Sequence, residues 1–333
     1  VVVQGQANTQ LTVHGNLHAL GKVSQPITFT SAADTGPLQW EGLVFDGGTG
    51  HLRNATVRYA GEWNESGPAT SSVAVRDVLS GEVRIESSQV LTGAASGTDY
   101  GLYASNSQVV ISDTLFSGNG DSAEDWPVRV AAADLDRIQF TGNTFRNNAN
   151  NRVLVAGGSL AGGSVLPFQI GLQGYQFQGD LVVPVGITLT VEPGVVMQGP
   201  ANTQLTVQGH LHAVGTHSLP IMFTSAADTG PLQWEGLVFD GGTGHLRHAT
   251  VRYAGEWNEG GFAMSNVAIR NVLSGAVRIE SSQIITGSAF STTDYGLYTS
   301  DSRVVISDTL FSGNGDSVYD HDCALYSLSL IHI

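Results

Sequence analysis

The segment Val83-Arg84-Ile85-Glu86-Ser87-Ser88-Gln89-Val90-Leu91-Thr92-Gly93 places Val83, Ile85, Ser88, Val90 and Gly93 at offsets 0, 2, 5, 7 and 10. The same offsets select Val109, Ile111, Thr114, Phe116 and Asn119, then Ile138, Phe140, Asn143, Phe145 and Asn148. Further along they select Val277, Ile279, Ser282, Ile284 and Gly287, and Val304, Ile306, Thr309, Phe311 and Asn314. Apolar residues two apart share one face of a strand. The step of three between offsets 2 and 5 crosses a bend, where a small polar residue turns inward before the next strand. Each unit therefore reads as strand, corner, strand, turn, and it cannot bury its apolar face alone.

Successive units begin 26 and 29 residues apart, at Val83, Val109 and Ile138. That length suits a coil of three short strands and their turns, and β-branched residues dominate the apolar positions. No window sustains the 3.6-residue stripe of an amphipathic helix. Coils of about 25 residues stacked at the strand spacing of about 4.8 Å give about 13 coils. Parallel crossovers are strongly biased to one hand. The expected fold is all-β, a right-handed single-stranded parallel β-helix (solenoid) of about 13 coils.

A much longer repeat overlies this one. Residues 4 to 119 return at 198 to 314, and Phe29–Arg53 reappears unchanged as Phe223–Arg247. The expected organisation is a first long repeat over 1–164, truncated at its N-terminal edge, and a second over 165–322 that continues it. The glycine-rich stretch Ala156 to Pro167 reads as a loop between them. The copies fall out of step after Asp125 and Asp320. Residues 323–333 read as a non-native tail, because Leu328 to Ile333 look like a translated sequencing-library adapter.

Composition sets the remaining bounds. Of 333 residues 41% are hydrophobic and 42 are glycine, enough apolar chain for a large core and enough glycine for many tight turns. A formal charge of −15 argues against nucleic acid or an anionic membrane as partner. The single cysteine, Cys323, leaves no disulfide framework and no cysteine-based metal site. No apolar run approaches the roughly 18 residues of a membrane helix.

The order of the strands also carries a resemblance. Val185 to Gly194 (VGITLTVEPG) leads into Leu205 to Thr216 (LTVQGHLHAVGT), and Pro220 to Ser225 (PIMFTS) and Trp234 to Phe239 (WEGLVF) follow. The first copy holds the same series from Leu11 to Phe45, and Phe140 to Asn148 looks like an asparagine-bearing coil. This pattern resembles the parallel β-helix repeat proteins of bacterial secreted and surface proteins, which share the pectin-lyase-like fold. The resemblance covers nearly all of residues 1 to 320, and it implies an extracellular or cell-surface location. It is specific for fold and unspecific for activity.

Enzymes of that fold cleave polysaccharide by lysis, with Ca²⁺ held by clustered carboxylates and an Arg or Lys base, or by hydrolysis with grouped Asp residues. Hydrolysis needs two carboxylates roughly 5 to 9.5 Å apart. The chain has no Asp-Asp, Asn-Thr-Asp, Gly-His-Gly or Arg-Ile-Lys, and its only lysine, Lys22, is replaced by Thr216 in the second copy. Arg84 and Arg278 alternate with inward Val and Ile and read as a solvated face. His14, His18, His210, His212, His51, His245 and His248 invite a metal reading. The His210/His212 pair becomes Asn16/His18 in the first copy, so these histidines read as surface scatter and no metal site is assigned. Asp121, Glu124 and Asp125 could hold Ca²⁺ loosely, as could Asp316 and Asp320, but Glu124 becomes Tyr319. A solvated acidic turn is the preferred reading, and no cofactor is assigned.

Aromatic residues offer the one binding lead. Tyr59-Ala60-Gly61-Glu62-Trp63-Asn64-Glu65 recurs as Tyr253 to Glu259. A ring in a polar loop, flanked by Glu and Asn, suits a sugar platform with stacking on one face and hydrogen bonds at the rim. The candidate glycan platforms are Tyr59, Glu62 and Trp63, and Tyr253, Glu256 and Trp257; a Trp folded over its own coil is the bland alternative. Trp40 and Trp234, each before a Gly-Leu-Val-Phe strand, read as structural. The expectation is a non-catalytic stalk or adhesin-like scaffold, with polysaccharide or cell-surface glycan as the partner. Part of a polysaccharide lyase or glycoside hydrolase is the alternative.

Overall fold

A computed structural model describes residues 1–61, 70–91, 99–255, 264–285, 294–313 and 325–327, the last three through their backbone. The chain is an all-β parallel solenoid of about 10 turns, with 56% of its residues in strands. It divides into two compact units, Val1–Leu154 with Gln169–Gln173, and Val155–Phe168 with Gly174–Ile333.

In the first unit three parallel columns of strands form the walls. One runs Asn16–Leu20, Thr49–Arg53, Val83–Glu86, Val109–Ser112 and Ile138–Thr141. The second runs Val2–Gly5, Ile27–Ser31, Ala55–Arg58, Gln89–Leu91, Leu115–Ser117 and Thr144–Arg146. A third stacks Gln10–Val13, Gly42–Asp46, Thr70–Arg76, Asp99–Ser105 and Trp126–Ala131. The second unit repeats this plan. Its long strand Gly174–Val183 pairs with both Val196–Gly199 and Gln204–Val207, so one strand supports two walls. Gly179, with φ of 88°, lies between those two paired segments in a region that a side chain disfavours.

The apolar offsets read from sequence are the interior ladders. Val83 stacks on Val109 and then Ile138, and Ile85 on Ile111 and then Phe140, all buried. Leu43, Val73, Leu102 and Val128 make a ladder whose members are all 0% exposed. Phe116 and Phe145 stack with ring centroids 5.1 Å apart and planes 6° apart. Each such side chain contributes about 1.5–3 kcal/mol relative to exposure.

The corner works as the step of three predicts. Ser88, Thr114, Asn143 and Ser282 all turn inward and are buried. Asn143 Oδ1 accepts the Thr114 N–H at 3.0 Å, and its Nδ2 donates to the Ile111 carbonyl at 3.0 Å. Ser88 Oγ accepts the Ala55 N–H at 3.1 Å and donates to the Glu86 carbonyl at 2.7 Å. The bend itself is made one residue earlier, by left-handed Asn54, Ser87 and Asp113, and in the second unit by His248, Ser281 and Asp308.

Two expectations are corrected. The count of about 13 coils falls to about 10, because steps between paired residues reach 33, as from Ala55 to Ser88, besides the 26 and 29 seen elsewhere. The glycine-rich stretch expected as a loop instead contains the second half of strand Arg152–Ser159 and all of strand Ser164–Leu166. Gly157 belongs there because a Cβ would lie 2.6 Å from the Gln178 carbonyl oxygen.

Replacing Asn143 with Ala leaves a buried amide N–H and a buried carbonyl without their partners, and should cost about 2–3 kcal/mol. Urea denaturation of wild type and variant measures this. An unchanged midpoint would show that the corner ladder adds nothing to stability.

Candidate ligand-binding surfaces

The candidate platforms are reached from the loop that precedes Trp40. Gln39 Oε1 accepts the Ser31 hydroxyl at 2.6 Å and the Thr35 N–H at 3.1 Å, which folds residues 31–39 onto themselves. Asp34, left-handed at φ 51°, is thereby aimed at Arg58, and its two carboxylate oxygens accept Nε at 2.9 Å and Nη2 at 2.5 Å. Thr30 donates its hydroxyl to the same carboxylate. That hydrogen bond first, and Arg58 next, hold the Asp34 carboxyl below the usual carboxylate range. The Arg58 guanidinium lies 5.2 Å from the centre of the Tyr59 ring.

The second copy builds the same cluster. Arg252 is held through two bonds by Asp228 and lies 5.0 Å from the centre of the Tyr253 ring. Trp40 and Trp234 are each 1% exposed, and each donates its indole N–H at 2.9 Å to the carbonyl of Arg58 or Arg252. They are structural, as expected. Tyr59 and Tyr253 are half-buried and left-handed, at φ 59° and 61°. Each is fixed at the backbone, since its carbonyl accepts the N–H of Gln39 or Gln233 at 3.1 Å. Glu62, Trp63, Glu256 and Trp257 lie outside the described residues. Of the six platform residues, the two described here present rings already engaged by arginine.

Four of the histidines expected to scatter form columns instead, while His14 and His248 do not. His18 is the cross-strand neighbour of His51, and His212 of His245, with both pairs one coil step apart. His51 Nε2 lies 2.8 Å from Glu86 Oε2, and His245 Nε2 lies 3.1 Å from Glu280 Oε2. In the second unit the His212 ring centre is 6.5 Å from that of His210 and 6.2 Å from that of His245. His210 also shares a 2.9 Å hydrogen bond with Thr243 Oγ1. Burial, and then the neighbouring His212 and His245, push the His210 pKa down. Among the described residues no group of three or more His, Cys, Asp or Glu is placed to hold a metal ion. The sequence signal for the columns is that the spacing from His18 to His51, and from His212 to His245, equals one coil step.

Arg84 and the acidic loop also resolve. Arg84 pairs with Glu82 and Glu86 on the outer face. Asp125 is fully buried, and its Oδ2 accepts the N–H groups of Asp121 and Ser122, both at 2.8 Å. That carboxylate thus closes its own turn, and the expectation of a solvated acidic turn fails at this residue. Asp316 and Asp320 lie outside the described residues. An aromatic group not singled out from sequence lies on the third wall, where Arg129 sits 4.9 Å from the Tyr103 ring centre and 6.0 Å from that of Tyr100.

Comparison with family models, with curated proteins and with solved structures gave no match. The fold and the sites therefore rest on the chain itself.

The histidine columns carry a pH dependence. Glu86 is held below its ordinary value of 4.5, first by its hydrogen bond to His51, so its stabilisation is complete above that pH and fades as pH falls through the folded value. His210, with its folded pKa below 6.5, resists protonation in the fold, so the fold loses stability as pH drops from 6.5 toward the folded value. Thermal midpoints between pH 8 and pH 5, expected to fall on acidification, should fall less in His210→Asn, which restores the residue of the first copy. Equal slopes in the two proteins would exclude His210 as a contributor.

Proposed function

We propose that the chain is a non-catalytic scaffold segment of a bacterial secreted or surface protein of the pectin-lyase-like kind, whose outer loops present binding groups to glycans. The observation that carries this reading is the internal pairing of its outward charges, repeated in both copies. Arg58 holds Asp34 as Arg252 holds Asp228, and Arg76 holds Asp46 as Arg270 holds Asp240. His51 and Glu86 correspond to His245 and Glu280. A general acid or base must offer its oxygens to a substrate, whereas these carboxylates are spent on neighbouring arginine and histidine. Pairs duplicated with the repeat are what structural carboxylates require.

The platform loops beginning at Tyr59 and Tyr253 supply the presented groups, and two copies in one chain favour a polymeric partner through linked binding events. Incubation with acidic and neutral polysaccharides should release neither reducing ends nor unsaturated products. Release of either would replace the scaffold with the lyase or hydrolase reading. Trp63→Ala combined with Trp257→Ala should weaken retention on immobilised glycans by tenfold or more if both rings stack on sugar, about 1.4 kcal/mol or more in total. Undiminished retention would remove the platforms from this proposal.

A further inference from the structure

A groove on the first unit lies away from both platforms and has a chemistry of its own. Its volume is about 390 Å³, within the range of small-ligand sites. The floor is built by coil stacking. Thr56, Gln89 and Leu115 are successive cross-strand neighbours facing outward, since Val57, Val90 and Phe116 beside them are buried. Along its edge runs the column of left-handed corner residues Asn54, Ser87 and Asp113. The wall is a tight hairpin closed by the Lys22–Gln25 bridge, which brings Val23 and Pro26 to the groove. Gly21 seats that hairpin against the corner, because a Cβ there would lie 2.5 Å from the Asn54 carbonyl oxygen, and Asn54 Nδ2 donates to the Gly21 carbonyl at 3.1 Å.

The lining leaves its polar groups uncommitted. Arg58 and Arg76 are held by Asp34 and Asp46, whereas the side chains of Thr56, Ser87, Gln89 and Asp113 make no hydrogen bond to another described residue. Two hydroxyls, a carboxamide and one carboxylate thus supply donors and acceptors in tiers about 4.8 Å apart. Val23, which is 90% exposed, Pro26 and Leu115 supply an apolar side. No arginine, lysine or histidine lines the groove, and the chain carries a net charge of −15.

We propose that this groove binds a neutral saccharide, with the sugar's apolar face against Val23 and Pro26 and its hydroxyls on Gln89, Thr56, Ser87 and Asp113. Hydroxyl groups both donate and accept, which matches the mixed lining. An apolar ligand would leave the carboxylate and carboxamide desolvated without partners. A uronate would meet Asp113 with no cation to offset the repulsion. The site rests on the glycan-presenting reading but is separable from the platforms, because no platform residue lines it.

The same four residue types recur in the second copy as Thr250, Ser281, Gln283 and Asp308, so the test changes both copies together. Calorimetric titration of the full chain would use cello-, manno- and xylohexaose as neutral probes and hexagalacturonate as the acidic one. The expected result is binding of at least one neutral probe, no binding of hexagalacturonate, and about tenfold weaker affinity in Gln89→Ala/Gln283→Ala. Val23→Asp, on an exposed hairpin position that is His217 in the second copy, gives a second variant that should weaken binding at the first copy alone, with the fold checked by circular dichroism. Neutral binding lost only in Trp63→Ala/Trp257→Ala would overturn the groove while sustaining the platforms. Silence of all neutral probes, or preference for hexagalacturonate, would overturn it outright.

Discussion

Parallel pairing of each coil with the next, through backbone hydrogen bonds at a constant spacing, is the constraint on which everything else in this structure depends. It forces like positions to stack, so an apolar residue at a given offset always meets another of its kind. Leu43, Val73, Leu102 and Val128 form a continuous dry column for that reason, although about thirty residues of chain separate neighbours. The same constraint makes polar residues cooperate at the corners. Ser88, Thr114 and Asn143 each satisfy backbone groups on the adjacent coil, so burying them costs little.

Stacking also organises the exterior. Outward residues of one coil stack on those of the next, and the histidine columns are the clearest product. Arg76 reaches Asp46 on the preceding coil, as Arg270 reaches Asp240. Such partly exposed pairs contribute little individually, about 0–1 kcal/mol each. Their consequence is chemical, since carboxylates occupied in this way are poor candidates for proton transfer. The groove beside Asn54 gathers, in successive tiers, hydrogen-bonding groups that no other described residue uses.

The two copies act as an internal comparison. Phe29–Arg53 and Phe223–Arg247 are identical, and the Asp–Arg–Tyr cluster that each begins is built alike in both. Where the copies differ, the difference is local: His210 in place of Asn16 sets a third histidine beside the two-histidine column without altering strand register. Substitution on the outer face is tolerated because register is held by the interior.

The all-β solenoid, the inward ladders and the buried corner residues were legible in the sequence, because an offset of two and a break of three are direct consequences of strand geometry and a bend. The number of coils was not, since the chain length per coil varies, with steps of 26, 29 and 33 residues between paired positions. Nor could sequence show that Arg58 leans over Tyr59, that Asp125 closes its own turn, or that Val23 and Pro26 wall a groove over Gln89. Those contacts join residues a coil apart or across a left-handed turn, and their partners are set by register and by φ. Residue order alone encodes neither quantity directly: only the stacked chain brings the side chains within reach of one another.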